Sequence, residues 1–359
     1  MKTKILFLSL AFIVTLVSCS KEADLTPKAT NSQTKEGLKF GELKVNLPQG
    51  YDEKILSLTM PDLQDQFYSS KTGSLSRVKS SDDMGITLDR MAIVAKKVVD
   101  KYPNFDSLTA EDIAIIKHDF NNTNEETINR NIDVIDSFYN ALKRYDLVVA
   151  LSKENAVVSK VKSASNSNIY SSLTGKNISS QEFWLLVWNP TYVDPTNRAT
   201  DKARAYTDLK FTKHDFSENY YWNWQTEADA FRHVIWNSLI CEYVGYQMTS
   251  IDKCVAWAKK FTDAHEAGGV NDGSMTTTAW ELDRAMDEHN NTIGQNYFKS
   301  VAWTYKNKGW FQPTRVACPT SDRMADAVFL MIKSSKKVTV KNEIYYYPSN
   351  TVHIINYKW

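Results

Sequence analysis

Three separated stretches in the second half of the chain carry the side chains best suited to chemistry. Residues 228–239 read Ala-Asp-Ala-Phe-Arg-His-Val-Ile-Trp-Asn-Ser-Leu, with Asp229, His233 and Asn237 falling four apart, as do Arg232 and Trp236. Such spacings line one side of a helix, while Phe231, Val234, Ile235 and Leu239 point in the other directions. A helix apolar on most sides is a buried one, so its charged and imidazole groups need partners. The second stretch ends in Ala264-His265-Glu266 before Gly268-Gly269, and the third holds Met286-Asp287-Glu288-His289-Asn290-Asn291 with Gly294 beyond. A glycine inside a helix costs roughly 1 kcal/mol relative to alanine, and close approach of another element explains one there.

Three readings of this set stay open. In the first it is a hydrolase site. Imidazole titrates near neutrality, so His233 or His265 could act as general base on water, with Glu266 or Asp287 orienting it and Arg232 or Asn291 stabilising developing negative charge. In the second, some of His233, His265, Glu266 and Asp287 hold a divalent metal, since nitrogen and oxygen donors suit zinc or manganese. Adjacent helical residues point about 100° apart, which sets His265 and Glu266 on different faces, and no His-Glu-x-x-His pair is present. In the third the protein is a non-catalytic binding or scaffold protein: Arg232, Asp229 and Asp287 form buried ion pairs while the histidines and asparagines satisfy helix ends.

The order Asp-Ala-Phe-Arg-His-x-x-Trp-Asn, Ala-His-Glu, Met-Asp-x-x-Asn-Asn-x-x-Gly resembles an uncharacterised domain of secreted and envelope-associated bacterial proteins, some of them multidomain or toxin-like. The resemblance covers about Trp188 to Tyr297. It implies that Asp229, Arg232, His233, Asn237, His265, Glu266, Asp287, Asn290 and Asn291 are the motif positions here, and it carries no established activity.

The elements that must position these residues are mostly helices. Leu88, Met91, Val94, Ala95, Val98 and Val99 recur at three and four, predicting a helix over Met84 to Tyr102, stopped by Pro103. Thr109 can cap a helix through the amide of Asp112. A longer helix is expected from Thr123 or Asn124 to about Ser152, and others from Thr196 to Leu209, Asp252 to Glu266, Thr278 to Tyr297 and Ser321 to Ile332. Lys337–Val340 and Ile344–Tyr347 flank Lys341-Asn342-Glu343 as an expected β-hairpin, with Val352 to Tyr357 as a third strand. The fold class is therefore mainly α with a small C-terminal antiparallel β element. The expected division is a helical domain over 41–157, a Ser-, Asn- and Lys-rich linker over 158–180, a motif-bearing helical domain over 181–335 and a β-hairpin tail over 336–359.

The first eighteen residues read as a signal peptide: Lys2 and Lys4, then an apolar run from Ile5 to Val17 too short to span a bilayer comfortably. Leu16-Val17-Ser18-Cys19 resembles the lipobox of bacterial lipoproteins, which implies a lipid on the Cys19 sulfur and a place in the cell envelope; the Lys-, Glu-, Thr-, Ser- and Asn-rich composition that follows predicts a flexible tether over 19–40, and Ser20-Lys21-Glu22-Ala23-Asp24 resembles the surface-export tags of some double-membrane bacteria, which implies a surface-exposed position on the outer membrane. No second long apolar segment follows, so the membrane partner is the lipid anchor itself. With 42% hydrophobic and 24% charged residues the remainder is an ordinary globular chain, and a net charge of +1 without a basic block disfavours a nucleic-acid partner. Of four cysteines, three remain beyond Cys19, and an exported protein could pair two of Cys241, Cys254 and Cys318 in a disulfide.

Overall fold

The computed structural model describes residues 37–69, 83–164, 177–211, 225–269, 271, 273, 275–306 and 313–355. The expected signal peptide, Cys19, most of the tether and much of the linker lie outside them. A two-stranded ribbon, β1 (Lys39–Phe40) and β2 (Leu43–Lys44), precedes α1 (Met60–Ser69). Met84 belongs to a strand rather than a helix: β3 spans Asp83–Thr87, and α2 (Leu88–Val99) starts only where the Thr87 hydroxyl accepts from the Arg90 amide. α3 (Ala110–Asp119) has the expected Thr109–Asp112 cap. The helix foreseen from Asn124 is two, α4 (Glu125–Arg130) and α5 (Ile132–Ala164). They part at Asn131, whose side chain donates back to the Thr127 carbonyl at 2.9 Å and so competes with helix continuation.

Beyond β4 (Asn177–Ser179), which pairs antiparallel with β3, come α6 (Ser180–Trp188) and α7 (Val193–Lys210). Pro195 lies inside the first turn of α7 rather than in a loop, because a first-turn residue needs no amide hydrogen. The motif helices follow: α8 (Glu227–Gly245), α9 (Ile251–Ala267) and α10 (Thr277–Val301). An antiparallel pair, β5 (Trp303–Lys306) and β6 (Thr314–Ala317), leads to α11 (Ser321–Lys333). This is the small antiparallel β element of an otherwise mainly helical chain.

The tail departs from the expected hairpin. β7 (Lys336–Val338) and β8 (His353–Ile355) pair in parallel, and Lys341–Tyr346 forms a 3-10 helix. Lys-Asn-Glu lacks the glycine that a tight hairpin turn favours, and the Glu343 carboxylate accepts from the Thr339 amide at 2.6 Å and the Val340 amide at 3.3 Å, which starts a helical turn instead.

Residues 35–359 make one compact unit. Leu63 of α1, Met91 of α2 and Leu147 of α5 join one apolar cluster with Phe183, Phe231 and Phe261. The first half keeps a smaller cluster around Ile116, Ile135 and Phe138. The Ser- and Asn-rich composition of 158–180 marks a polar stretch without deciding what packs on either side of it. No disulfide joins Cys241, Cys254 and Cys318: Cys241 and Cys254 are buried as small apolar fillers, and Cys318 is half-buried. None of the described helices is long and apolar enough to cross a membrane.

At the centre lies α8, packed against α7, α9, α10 and α11. Fifteen of its nineteen residues are buried, so its polar groups must be satisfied from neighbouring helices. Gly294 is what lets α10 come near enough. A Cβ there would stand 2.1 Å from the Val234 carbonyl oxygen and 2.9 Å from the Asn237 Cβ, and the Ser238 hydroxyl bridges to the Gly294 carbonyl at 2.9 Å. Both opposing groups belong to helix backbone or its first side-chain atom and cannot swing aside. Gly294→Ala is therefore expected to destabilise the fold by about 1–3 kcal/mol through overpacking, read as a lower urea midpoint with unchanged slope; an unchanged midpoint would show that the two helices part at no cost.

Candidate metal centre

Asp229, Arg232, His233 and Asn237 project from α8, Glu266 from the last turn of α9, and Asp287 and Asn291 from α10. The Thr226 hydroxyl caps α8 at the Asp229 amide, and the Asp229 Oδ2 accepts from the Gln225 amide at 2.5 Å. Its Oδ1 accepts from the Arg232 guanidinium. His233 stands at the middle, 6% exposed, with Nε2 3.3 Å from the Asp287 Oδ1 and 3.6 Å from the Asp229 Oδ1.

A chain of amides fixes which imidazole nitrogen carries the proton. The backbone carbonyl of His233 can only accept, so the Asn237 Nδ2 faces it, at 3.0 Å. That same Nδ2 donates to the Asn291 Oδ1 at 2.7 Å, while the Asn291 Nδ2 donates to the Glu266 Oε1 at 3.0 Å. The Asn291 oxygen is thereby turned toward His233, whose Nδ1–H donates to it at 3.1 Å. Nε2 is left with its lone pair directed at two carboxylate oxygens. Three lone-pair donors facing one another repel unless a cation or a proton lies between them.

Electrostatics agrees with this geometry. Burial, and then the Asp229, Glu266 and Asp283 carboxylates, hold the Asp287 carboxyl well above its ordinary value, with Arg232 offsetting only part. Burial likewise pushes His233 below its usual imidazole range, against the pull of Asp229 and Glu266. With Asp287 protonated, its proton can bridge to the His233 Nε2, yet the Asp287 Oδ1 is buried without any hydrogen-bond partner of standard geometry. The Asp229, His233 and Asp287 ligand atoms lie within 4.8 Å of one another, a spacing that suits one ion.

Of the residues singled out in the sequence, His233, Asp287, Arg232, Asn291 and Glu266 come together here. Glu266 sits on the Nδ1 side of the ring, 3.7 Å away, behind the face that would meet a metal. His265 points elsewhere, as its adjacency to Glu266 requires. Its Nδ1 is 2.9 Å from the Glu182 Oε1 of α6, and its ring lies edge-on to Trp236, which also packs against His233, at 5.1 and 6.3 Å between centroids. Burial opposes charge on Glu182, but the His265 hydrogen bond and charge, with the Ser179 amide and hydroxyl, hold its carboxyl below the ordinary value. Asn290 serves the fold, clasping the His353 backbone of β8 through both amide atoms, at 2.9 and 3.1 Å.

Two participants were not foreseen in these roles. Asp229 was visible at four residues before His233, but only as an ion-pair partner for Arg232. Glu182 lies 83 residues from His265, and its one local signal is the Ser179-x-x-Glu182 capping box of α6.

These features define a helical domain with a buried Asp-His-Asp cluster at its centre. Residues 183–314 match a family described as a domain of unknown function (DUF6973), a span containing all the motif positions named above. No curated protein and no solved structure matches the chain.

The raised carboxyl of Asp287 sets a pH dependence. An acid whose pKa is higher in the folded than in the unfolded state adds stability at pH below its unfolded value and loses it as pH rises through the folded one. In chelator, the melting temperature of Asp287→Asn minus that of the wild type should therefore grow more positive as pH rises from acid to neutral. A difference independent of pH would mean that Asp287 carries no such strain.

Proposed function

We propose that this chain is an envelope lipoprotein carrying a divalent-metal-dependent hydrolytic centre, with Asp229, the His233 Nε2 and Asp287 as the protein ligands. The carrying observation is the His233 lone pair aimed at two carboxylate oxygens, one of them buried without a hydrogen bond. Nitrogen and oxygen donors of this kind suit zinc or manganese. A bound ion of this type supplies an acidified water at neutral pH. The chain's own residues do the rest. Asn291 holds the imidazole and Asn237 holds Asn291, the outer support that metal-binding histidines ordinarily need. Arg232, with 29% of its side chain exposed, sits at the outer side of the cluster where it can meet a developing negative charge. The Glu182-His265 dyad, its histidine side chain 36% exposed, has the form of an oriented general base.

The anchor rests on Leu16-Val17-Ser18-Cys19 and the basic and apolar stretches before it, which support lipidation at Cys19 and residence at the outer membrane. Incorporation of labelled palmitate into the wild type and its loss in Cys19→Ala is the expected result; equal labelling of both would remove the anchor.

Burial favours a second reading, a closed structural network, since Asp229 is 1% and Asp287 9% exposed. Elemental analysis and thermal shift with manganese or zinc separate the two. The metal reading expects one ion per chain and a raised melting temperature in the wild type, both lost in Asp229→Asn and Asp287→Asn, with Asn291→Ala weakening binding about 10- to 100-fold. Turnover of p-nitrophenyl esters or bis-p-nitrophenyl phosphate should disappear in chelator and return with the ion. A folded wild type that binds neither ion belongs to the network reading.

A further inference from the structure

Exposed large apolar side chains concentrate in the segment that joins β7 to β8. Of twelve among the described residues, Val340, Tyr345, Tyr346 and Tyr347 fall within eight positions, and Tyr346 at 77% and Tyr345 at 73% are the most exposed of all. A single exposed ring needs no explanation, but a concentration of this kind marks a contact surface. Between them Ile344 turns inward and packs with Val338, Ile355 and, from α10, Leu282 and Met286. The rings of Tyr345 and Tyr346 are therefore carried by a packed 3-10 turn.

The same segment is basic. Lys336 and Lys337 of β7 and Lys341 are exposed, and among the described residues none of the three makes an ion pair. From Lys333 to Ile355 the one acid is Glu343. Its carboxylate is occupied by the Thr339 and Val340 amides, at 2.6 and 3.3 Å. α10, which packs against this segment, has two exposed acids, Glu281 and Glu288, and Glu288 pairs with Arg284 at 2.8 Å. Three unpaired ammonium groups are thus set against at most one carboxylate not already engaged.

A bilayer surface answers both features at once. Anionic headgroups attract the ammonium groups, and the boundary just beneath them suits a ring that is apolar with a polar tip. A long polyanion such as a nucleic acid asks for basic groups spread along many phosphates, and the whole chain carries a net charge of only +1. A membrane needs the local patch alone. We propose that residues 336–347 dock on an anionic phospholipid membrane, with Lys336, Lys337 and Lys341 on the headgroup phosphates and Val340, Tyr345 and Tyr346 entering the interface. This contact is separate from the lipid on Cys19 and does not depend on the metal centre.

The test is co-sedimentation of the chain from Ser20 onward, without the expected signal peptide or acyl groups but with the whole compact unit of residues 35–359. Vesicles of equal parts phosphatidylglycerol and phosphatidylcholine should bind it, more weakly as salt rises. Vesicles of phosphatidylcholine alone should bind it far less. Each lysine near an anionic surface is worth roughly fivefold, so Lys336→Gln, Lys337→Gln and Lys341→Gln together should weaken binding about a hundredfold. Tyr345→Ser with Tyr346→Ser should weaken it severalfold at high salt as well as low. All five side chains are exposed, so both variants should melt as the wild type does by circular dichroism. The proposal is overturned if the mixed vesicles do not bind the folded wild type, if the two kinds of vesicle bind it alike, if the mixed vesicles bind both variants as tightly, or if oligothymidylate binds the wild type and the vesicles do not.

Discussion

The arrangement depends on one amide, that of Asn237. Held to the His233 carbonyl one turn back on its own helix, it dictates how Asn291 faces, and Asn291 dictates which nitrogen of His233 keeps its proton. Backbone carbonyls have no alternative role, so the choice is made by the helix itself and passed outward through two side chains. A buried network in which each member has one permissible orientation is rigid in a way that apolar packing is not. The strain it leaves is confined to the far side of the imidazole, where Asp229 and Asp287 converge.

Burial and close backbone approach make that confinement hold. Water would screen three acceptors in contact, but α8 is enclosed by four helices, and the Gly294 contact brings α10 against it closely enough for Asp287 and Asn291 to reach the imidazole. Trp236 then separates this pocket of charge from the His265-Glu182 pair, with its indole nitrogen tied to the Thr200 hydroxyl at 2.9 Å. Two chemically different imidazoles thereby share one wall. His233 is buried among acids, and His265 is partly open to solvent with the Glu182 carboxylate at its Nδ1.

Much of this was legible in the residues. Spacings of four placed Asp229, His233 and Asn237 on one helix face, the glycine at 294 announced a close contact, and Thr109 announced a cap, because these signals are local. What failed was long-range or depended on competition between local preferences. Val340 and the tyrosines at 345 and 346 have strand propensity, yet the Glu343 carboxylate captured the amides of Thr339 and Val340 and wound the segment into a turn. The Glu182-His265 pair spans 83 residues and leaves no periodic trace.

The placing of β8 beside α10 has its own bearing on the acidic cluster. Asn290, three residues beyond Asp287 on α10, is clasped by the backbone of His353, and its neighbour His289 lies 2.8 Å from the Thr351 carbonyl. These contacts join the helix that completes the acidic cluster to residues 62 and 63 positions further along the chain. That helix is fully braced only once residues 351–353 have docked against it. A chain cut short before residue 351 lacks that brace on α10.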